Sequence, residues 1–468
     1  GRRFRDRVRP QIDSQIEPDG GWGEGRRQCS GLIRAATGEV QDSQPAGREI
    51  ARDFQSIAHK SGQSGHVPIG PRVAERPALD HGGRFGRGRW GGKKEAAMRF
   101  HLECWRGIRE VLRVPPTSSV RAADPQIQSL VAKIGNQFAI QGDFVLGEEI
   151  DSGHINSTYR ASYRQADGSE QRYIFQAINR NVFKDPHAVM SNVEGVTHHN
   201  NAKVLGRKHD LGGQTLNLFP ARVGGVWVED EKGTVWRCYN HIEGCVTYDI
   251  VENTRQASQA AHAFGAFQDL VSDLDASLIV ETIPDFHNTR KRYDRLMAVI
   301  AADPCGRASS VRDECDFIRE REPLVDILLD LADAGKIPLR VTHNDTKINN
   351  VMIDAQTDEA VCVIDLDTVM PGLALYDFGD LIRTATSPAA EDETDVSKVE
   401  MQMPMFQALV EGYLDAAGSF LNETEVRHLA FSGRLITLEV AIRFLTDYLE
   451  GDVYFKTHRP GQNLDRCR

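Results

Sequence analysis

Two short apolar runs, Val351 to Ile353 and Ala360 to Ile364, flank a polar turn from Asp354 to Glu359. That pattern predicts a β-hairpin. Polar residues gather at both of its ends. Ahead of it, in a stretch that opens at Val341, His343, Asp345 and Asn350 fit the spacing H-x-D-x-x-x-x-N. Behind it stands Asp365, 20 residues past Asp345. Antiparallel pairing would close that gap and hold two acids and an amide close together.

Phosphoryl transfer needs that set. One carboxylate orients the attacking hydroxyl and takes its proton. A second carboxylate and an amide oxygen hold Mg²⁺, which neutralises charge on the β- and γ-phosphates. A His-x-Asp loop followed by Asn and a later metal-binding Asp is the kinase pattern. On it, Asp345 is the base, Asn350 and Asp365 are the magnesium ligands, and Lys347 reaches the transferring phosphoryl. A hairpin with ordinary polar ends is the plain alternative. The joint spacing of hairpin, loop and second acid favours the kinase reading.

A chain of 468 residues allows two or three domains, and 40% hydrophobic residues allow a sizeable core. The net charge of −11 is unevenly spread. Residues 1–97 carry 18 Lys and Arg against 12 Asp and Glu, and the remainder 38 against 55. The acidic bulk argues against a nucleic-acid partner for the main body. The eight cysteines form no C-x-x-C and no zinc-finger spacing, so they read as reduced thiols of a cytoplasmic protein. No apolar run approaches the 18 or so residues of a membrane span, and the N-terminus lacks an apolar signal core.

Residues 1–97 hold 17 of the 41 glycines and little periodicity, and Arg84 to Gly92 has the composition of a basic disordered arm. A nucleic-acid-binding tail is one reading. The favoured one is a segment outside the native protein, because the first methionine is Met98. A leading helical segment then covers 98–136, with a helix from about 125 to 138. Residues 137–242 form a strand-rich lobe, and 243–468 a helical lobe that holds the catalytic loop.

Strands are expected at 144–150, 157–164 and 172–179, then at 216–221, 225–229 and 234–242. The turn 151–156 sits where a phosphate flap belongs, and Gly153 either approaches phosphate or serves the turn. The third strand carries no lysine, so Gln176 takes the slot where kinases pair the phosphates. On the following helix, about 186–205, Glu194 either partners a cation there or faces solvent. His198 and His199 read as solvent-facing. Residues 239–244 form the candidate hinge, with main-chain groups about Ile242 and Glu243 placed to pair with adenine; a plain linker reads the same.

Further helices are expected at 252–272, 289–302, 311–334, 395–418 and 424–449. In the last, Leu438, Ile442, Leu445 and Leu449 recur as a core face. Glu439 and Arg443, four apart, form a surface pair worth a few tenths of a kcal/mol, or Arg443 enters a substrate pocket. The sequence stops at Arg468 without a helix terminator, which reads as a truncation.

The segments 341–351, 363–372 and 376–383 resemble the N-acetylhexosamine 1-kinases of the aminoglycoside phosphotransferase and choline kinase superfamily. So do 153–159, 283–289 and 447–455. The likeness runs from about 137 to the end. It implies an α+β, protein-kinase-like bilobal fold, with a small antiparallel-sheet N-lobe and a mostly helical C-lobe. It implies ATP- and Mg²⁺-dependent phosphorylation of the anomeric hydroxyl of GlcNAc or GalNAc. His343, Asp345 and Lys347 fall in its catalytic loop, and His154, Arg443 and Tyr454 become candidate sugar contacts. That family also lacks the third-strand lysine. The rivals are a kinase of another alcohol (choline, homoserine or an aminoglycoside), a catalytically silent pseudokinase, and a nucleic-acid binder resting on 1–97 alone.

Overall fold

The computed structural model describes residues 124–150, 155–206 and 215–468. The expectations for residues 1–97 and 98–123, and for Gly153 and His154, lie outside the described residues. Asp124 caps helix α1 (Pro125–Gly135) by accepting from Gln126 N at 2.8 Å. Pro125 opens that helix, where an amide N–H has no partner to lose. Val131 and Ile134 of α1 are buried beside Phe138, Tyr163, Phe175 and Trp236.

That cluster lies on a five-stranded antiparallel sheet. Its strands are β1 (Asp143–Ile150), β2 (Ser157–Arg164), β3 (Glu170–Ala177), β4 (Trp227–Glu229) and β5 (Val235–Asn240), in the order β1-β2-β3-β5-β4. Helix α2 (Pro186–Gly206) separates β3 from β4. The expected strand at 216–221 is instead a pair of isolated bridges, Leu218 to Tyr239 and Phe138 to Ala221. Pro220 has no N–H to continue a ladder.

The chain leaves the sheet through Gly244, whose φ of 72° suits glycine. It enters β6 (Cys245–Val246) at once. The helical lobe follows: α3 (Thr254–Val271), α4 (Thr289–Ala302), α5 (Arg312–Arg319), α6 (Ile327–Asp333). Then come β7 (Arg340–Thr342), β8 (Val351–Asp354), β9 (Ala360–Val363), β10 (Met370–Gly372) and α7 (Ala374–Ala385). Helices α8 (Met403–Ala417), α9 (Glu423–Glu450) and α10 (Gln462–Cys467) complete it. Strand β6 pairs with β8, which pairs with β9, while β7 pairs with β10. The expected hairpin is therefore present, and the connector from the sheet is one of its neighbouring strands. The architecture is α+β, with an antiparallel-sheet lobe first and a mostly helical lobe second.

Two expected helices are shorter than their apolar pattern implied. The run 311–334 is split by a 3-10 turn, Glu322–Leu324, because Pro323 interrupts the hydrogen-bond ladder. In 395–418 the α-helix begins only at Met403, with Pro404 in its first turn. Helix α9 has a capping box between Asn422 and Glu425, and Gly451 ends it in the left-handed region.

Helix α7 packs against α9 through Gly379. A Cβ there would lie 2.6 Å from Ser432 O and 2.7 Å from Ile436 Cγ1. Gly379→Ala is therefore expected to destabilise the protein by about 1–3 kcal/mol through overpacking. Urea unfolding would read this as a lower midpoint at unchanged slope; an unshifted midpoint would show that the two helices separate freely. Among the described residues no helix is long and apolar enough to cross a membrane, and Cys238, Cys245, Cys305, Cys315, Cys362 and Cys467 are unpaired thiols.

Candidate active site

The hairpin does what its sequence pattern requires. Val351 pairs with Val363, and Ile364 N donates to Asn350 O at 2.9 Å. That contact sets the residue after Ile364 beside the start of the hairpin. Asn350 ends a 3-10 turn, Ile348–Asn350, and its amide donates to the Asp345 main-chain oxygen at 2.8 Å and to Asp345 Oδ2 at 3.2 Å. Asp365 occupies the left-handed region (φ 62°, ψ 61°). For an aspartate this costs on the order of 1–2 kcal/mol.

The electrostatics separate the two acids. Burial alone would raise the Asp345 carboxyl. Lys347, with the Asn350 amide as a donor, outweighs burial and holds it below its ordinary value, so it is ionised at neutral pH. Lys347 Nζ lies 3.1 Å from Asp345 Oδ1, and the ammonium is in turn held charged by Asp345. Asp365 goes the other way: burial, then the neighbouring charges of Asp367 and Asp345, push it up to about 7. Crowded acids of this kind create a place for a cation. Among the described residues no cluster of three or more His, Cys, Asp and Glu side chains forms a complete metal cage. Asp365 and Asn350 carry between them a carboxylate and an amide oxygen, the donor types that Mg²⁺ takes beside water and phosphate.

His343 lies within the loop, turned inward. The residue is fully buried; its Nε2 meets Ile364 O at 2.9 Å, and its Nδ1 accepts from Asp345 N at 3.3 Å. The rings of Phe264 and Phe267 stand edge-on to it. It braces the loop, and both of its nitrogens are engaged by main chain.

A second brace was not read from the sequence. Asp377 of α7 is buried, and its carboxylate accepts from His343 N at 2.8 Å, Asn344 N at 2.7 Å and Gln268 Nε2 at 2.6 Å. The stretch around it was legible as a motif, but an acid that binds main chain leaves no separate sequence signal.

On the sheet side, Gln176 lies near the end of β3. Its Oε1 accepts from Arg237 Nε at 3.0 Å and Nη2 at 2.8 Å, and its Nε2 donates to Thr158 Oγ1 at 3.1 Å. Arg237 also forms an ion pair with Asp367, and both are buried. A charged residue inside the otherwise apolar strand β5 was the signal for it. Glu194 is exposed on α2, so the solvent-facing alternative holds. His198 is exposed, whereas His199 is half-buried and meets Leu270 O at 3.1 Å and Asp273 at 3.0 Å. In the connector, Ile242 is buried, and the Glu243 carboxylate accepts from Arg172 Nε at 2.8 Å.

Arg443 and Tyr454 both pack against Phe455. The Arg443 guanidinium lies 5.2 Å from the Phe286 ring centre and 5.6 Å from that of Phe455. Tyr454 is exposed and stands edge-on to Phe455 at 4.8 Å. Glu439 does not form the surface pair expected of it. It is fully buried, with Oε1 2.8 Å from His287 Nδ1 and Oε2 accepting from Thr289 Oγ1 at 2.5 Å. Burial raises its carboxyl, but His287 and Thr289 hold it below its ordinary 4.5. A lowered value means that the stabilisation from this group is complete above pH 4.5 and is lost as pH falls through the folded value. Glu439→Gln is therefore expected to flatten the acid-side decline of the unfolding midpoint below about pH 4.5. An unchanged acid decline would show that Glu439 does not contribute it.

A sheet lobe, a helical lobe and an Asp-Asn-Asp set around one hairpin define a kinase-like phosphotransferase. The chain belongs to the phosphotransferase enzyme family (APH), whose sequence profile matches residues 147–418. Solved structures with a similar chain course include an aminoglycoside phosphotransferase from Alicyclobacillus acidocaldarius, at 14% identity and a TM-score of 0.47, covering 75% of this chain and 92% of that one. Aminoglycoside 2'-phosphotransferase-IIIa, solved with GDP, is 11% identical at a TM-score of 0.47, covering 74% and 97%. Choline kinase from Cryptosporidium parvum is 14% identical at a TM-score of 0.42, covering 73% and 92%.

Proposed function

We propose that the protein transfers the γ-phosphoryl group of ATP to the anomeric hydroxyl of an N-acetylhexosamine, GlcNAc or GalNAc, giving the 1-phosphate. The observation that carries the transfer is the meeting of Asp345, Asn350 and Asp365 at the ends of the hairpin. The ionised Asp345 accepts a hydrogen bond from the sugar hydroxyl and takes its proton late in the transfer. The sugar oxygen bonds to the γ-phosphorus as the bond to the β-phosphate oxygen breaks, and ADP leaves. Lys347 lies beside the base and offsets charge on the moving phosphoryl. Asn350 and Asp365 would hold Mg²⁺, which supplies charge neutralisation on the phosphates. The main chain about Ile242 and Glu243 would meet adenine, and Gly153 the phosphates.

The choice of a sugar rests on the resemblance of the motifs, and one feature of the acceptor wall supports it. Arg443 acts on Arg292 as a like charge, and Glu439 is the opposing charge to both. Two guanidinium groups against one carboxylate leave a net positive charge, which disfavours choline or an aminoglycoside and offers donors to neutral hydroxyl and acetamido oxygens. His154 is assigned to the same sugar.

ATP consumption measured with GlcNAc, GalNAc, galactose, choline and kanamycin tests the reading, with the site of phosphorylation read by NMR. The expected result is turnover with the acetamido sugars and a product phosphorylated at carbon 1. Turnover with choline or kanamycin alone would overturn the choice of acceptor.

A further inference from the structure

We propose that Arg237 is a positioning residue that supplies from β5 the cation that β3 lacks, and that it latches the sheet lobe to the metal-binding turn through Asp367. The proposal rests on the kinase reading above. Gln176 and Arg237 face each other across the β3–β5 pairing, so a cation moved one strand over projects from nearly the same place. From there the guanidinium divides its donors. Nε and Nη2 bond Gln176 Oε1, while Nη1 pairs with Asp367, two residues beyond Asp365.

Asp367 is the meeting point. Its Oδ2 accepts from Asn156 Nδ2 at 2.5 Å, and Asn156 Oδ1 accepts from Asn179 N at 3.0 Å. Asn156 directly precedes β2, at the end of the stretch that the sequence marks as the flap. One buried carboxylate therefore ties β5, the end of the flap turn and the metal-binding turn together.

Stability alone does not account for the pair. Arg237 is 0% and Asp367 3% exposed, and a buried ion pair is commonly matched or bettered by apolar residues of similar volume. What apolar residues cannot do is fix the direction of two partners at once. The planar fork of arginine is needed for that, and lysine, a single point charge, does not replace it.

The test is calorimetric titration of the full-length chain with a non-hydrolysable ATP analogue and Mg²⁺, alongside steady-state kinetics. Arg237→Met is expected to weaken Mg²⁺–analogue binding by about 10- to 100-fold and to raise the nucleotide KM, with the acceptor KM nearly unchanged. Arg237→Lys should recover only part of the loss. Where Arg237→Met alone fails to fold, because Asp367 is left buried without its partner, the charge-neutral pair Arg237→Met with Asp367→Asn carries the same expectation. A folded variant that binds the Mg²⁺–analogue complex within twofold of the parent, or an equal rise in both KM values, would overturn the latch alone. A parent chain that binds no nucleotide would instead overturn the kinase reading, and the latch with it.

Discussion

Asp345→Asn is expected to lower turnover by about 10²- to 10⁴-fold, the usual worth of a positioned base, with only a modest loss of nucleotide affinity. The substitution keeps the side-chain shape, so Asn350 retains an oxygen to bond. It removes the charge that Lys347 pairs with at 3.1 Å and the basic oxygen that the proposed mechanism needs to take the acceptor proton. An anomeric hydroxyl is more acidic than an ordinary alcohol, which places the loss toward the lower part of that range. The measurement is ADP release under saturating substrates beside calorimetric titration of nucleotide. Near-normal turnover in the variant would remove Asp345 from the base role.

Asp377→Ala is expected to cost about 3–5 kcal/mol and to abolish most of the activity with it. Its carboxylate is buried and accepts from two consecutive loop amides, His343 N and Asn344 N. Truncation leaves those donors and Gln268 Nε2 without the acceptor they share, each costing roughly 1–3 kcal/mol. Asn344 is already in the left-handed region, at φ 65°, so the loop loses the contact that holds an unfavourable backbone in place. Urea unfolding and turnover should fall together, with Asp377→Asn intermediate because one acceptor oxygen remains. A stable, active Asp377→Ala would show that the loop keeps its shape without α7.

The same residues show how far the sequence could be read. Strand β2, helix α4 and the hairpin follow from alternation, helical spacing and turn residues, and they appear where those local signals placed them. Asp345, Asn350 and Asp365 were legible because their spacing is tied to a hairpin, which is itself local. Helix α7 was not, since the buried acids Asp377 and Asp380 interrupt the apolar pattern that marks a core helix. The breaks at Pro323 and Pro404 show single residues overriding a longer apolar period. Partnerships across long separations were illegible. Glu439 looked like half of a local pair with Arg443, yet its partners His287 and Thr289 lie about 150 residues away. The pair Arg237 and Asp367 likewise joins two lobes. A lone arginine among apolar neighbours marks that something must meet it, and only the fold says what.

The most direct measurement is Mn²⁺ binding followed by electron paramagnetic resonance, with a non-hydrolysable ATP analogue present, in the parent and in Asp365→Asn. Asp365 is half-buried beside the like charges of Asp367 and Asp345, so replacing it relieves repulsion, and the variant should fold at least as well as the parent. The expected result is an intact fold with metal affinity lower by about tenfold or more. A folded Asp365→Asn that holds the metal–nucleotide complex as tightly as the parent would contradict the account.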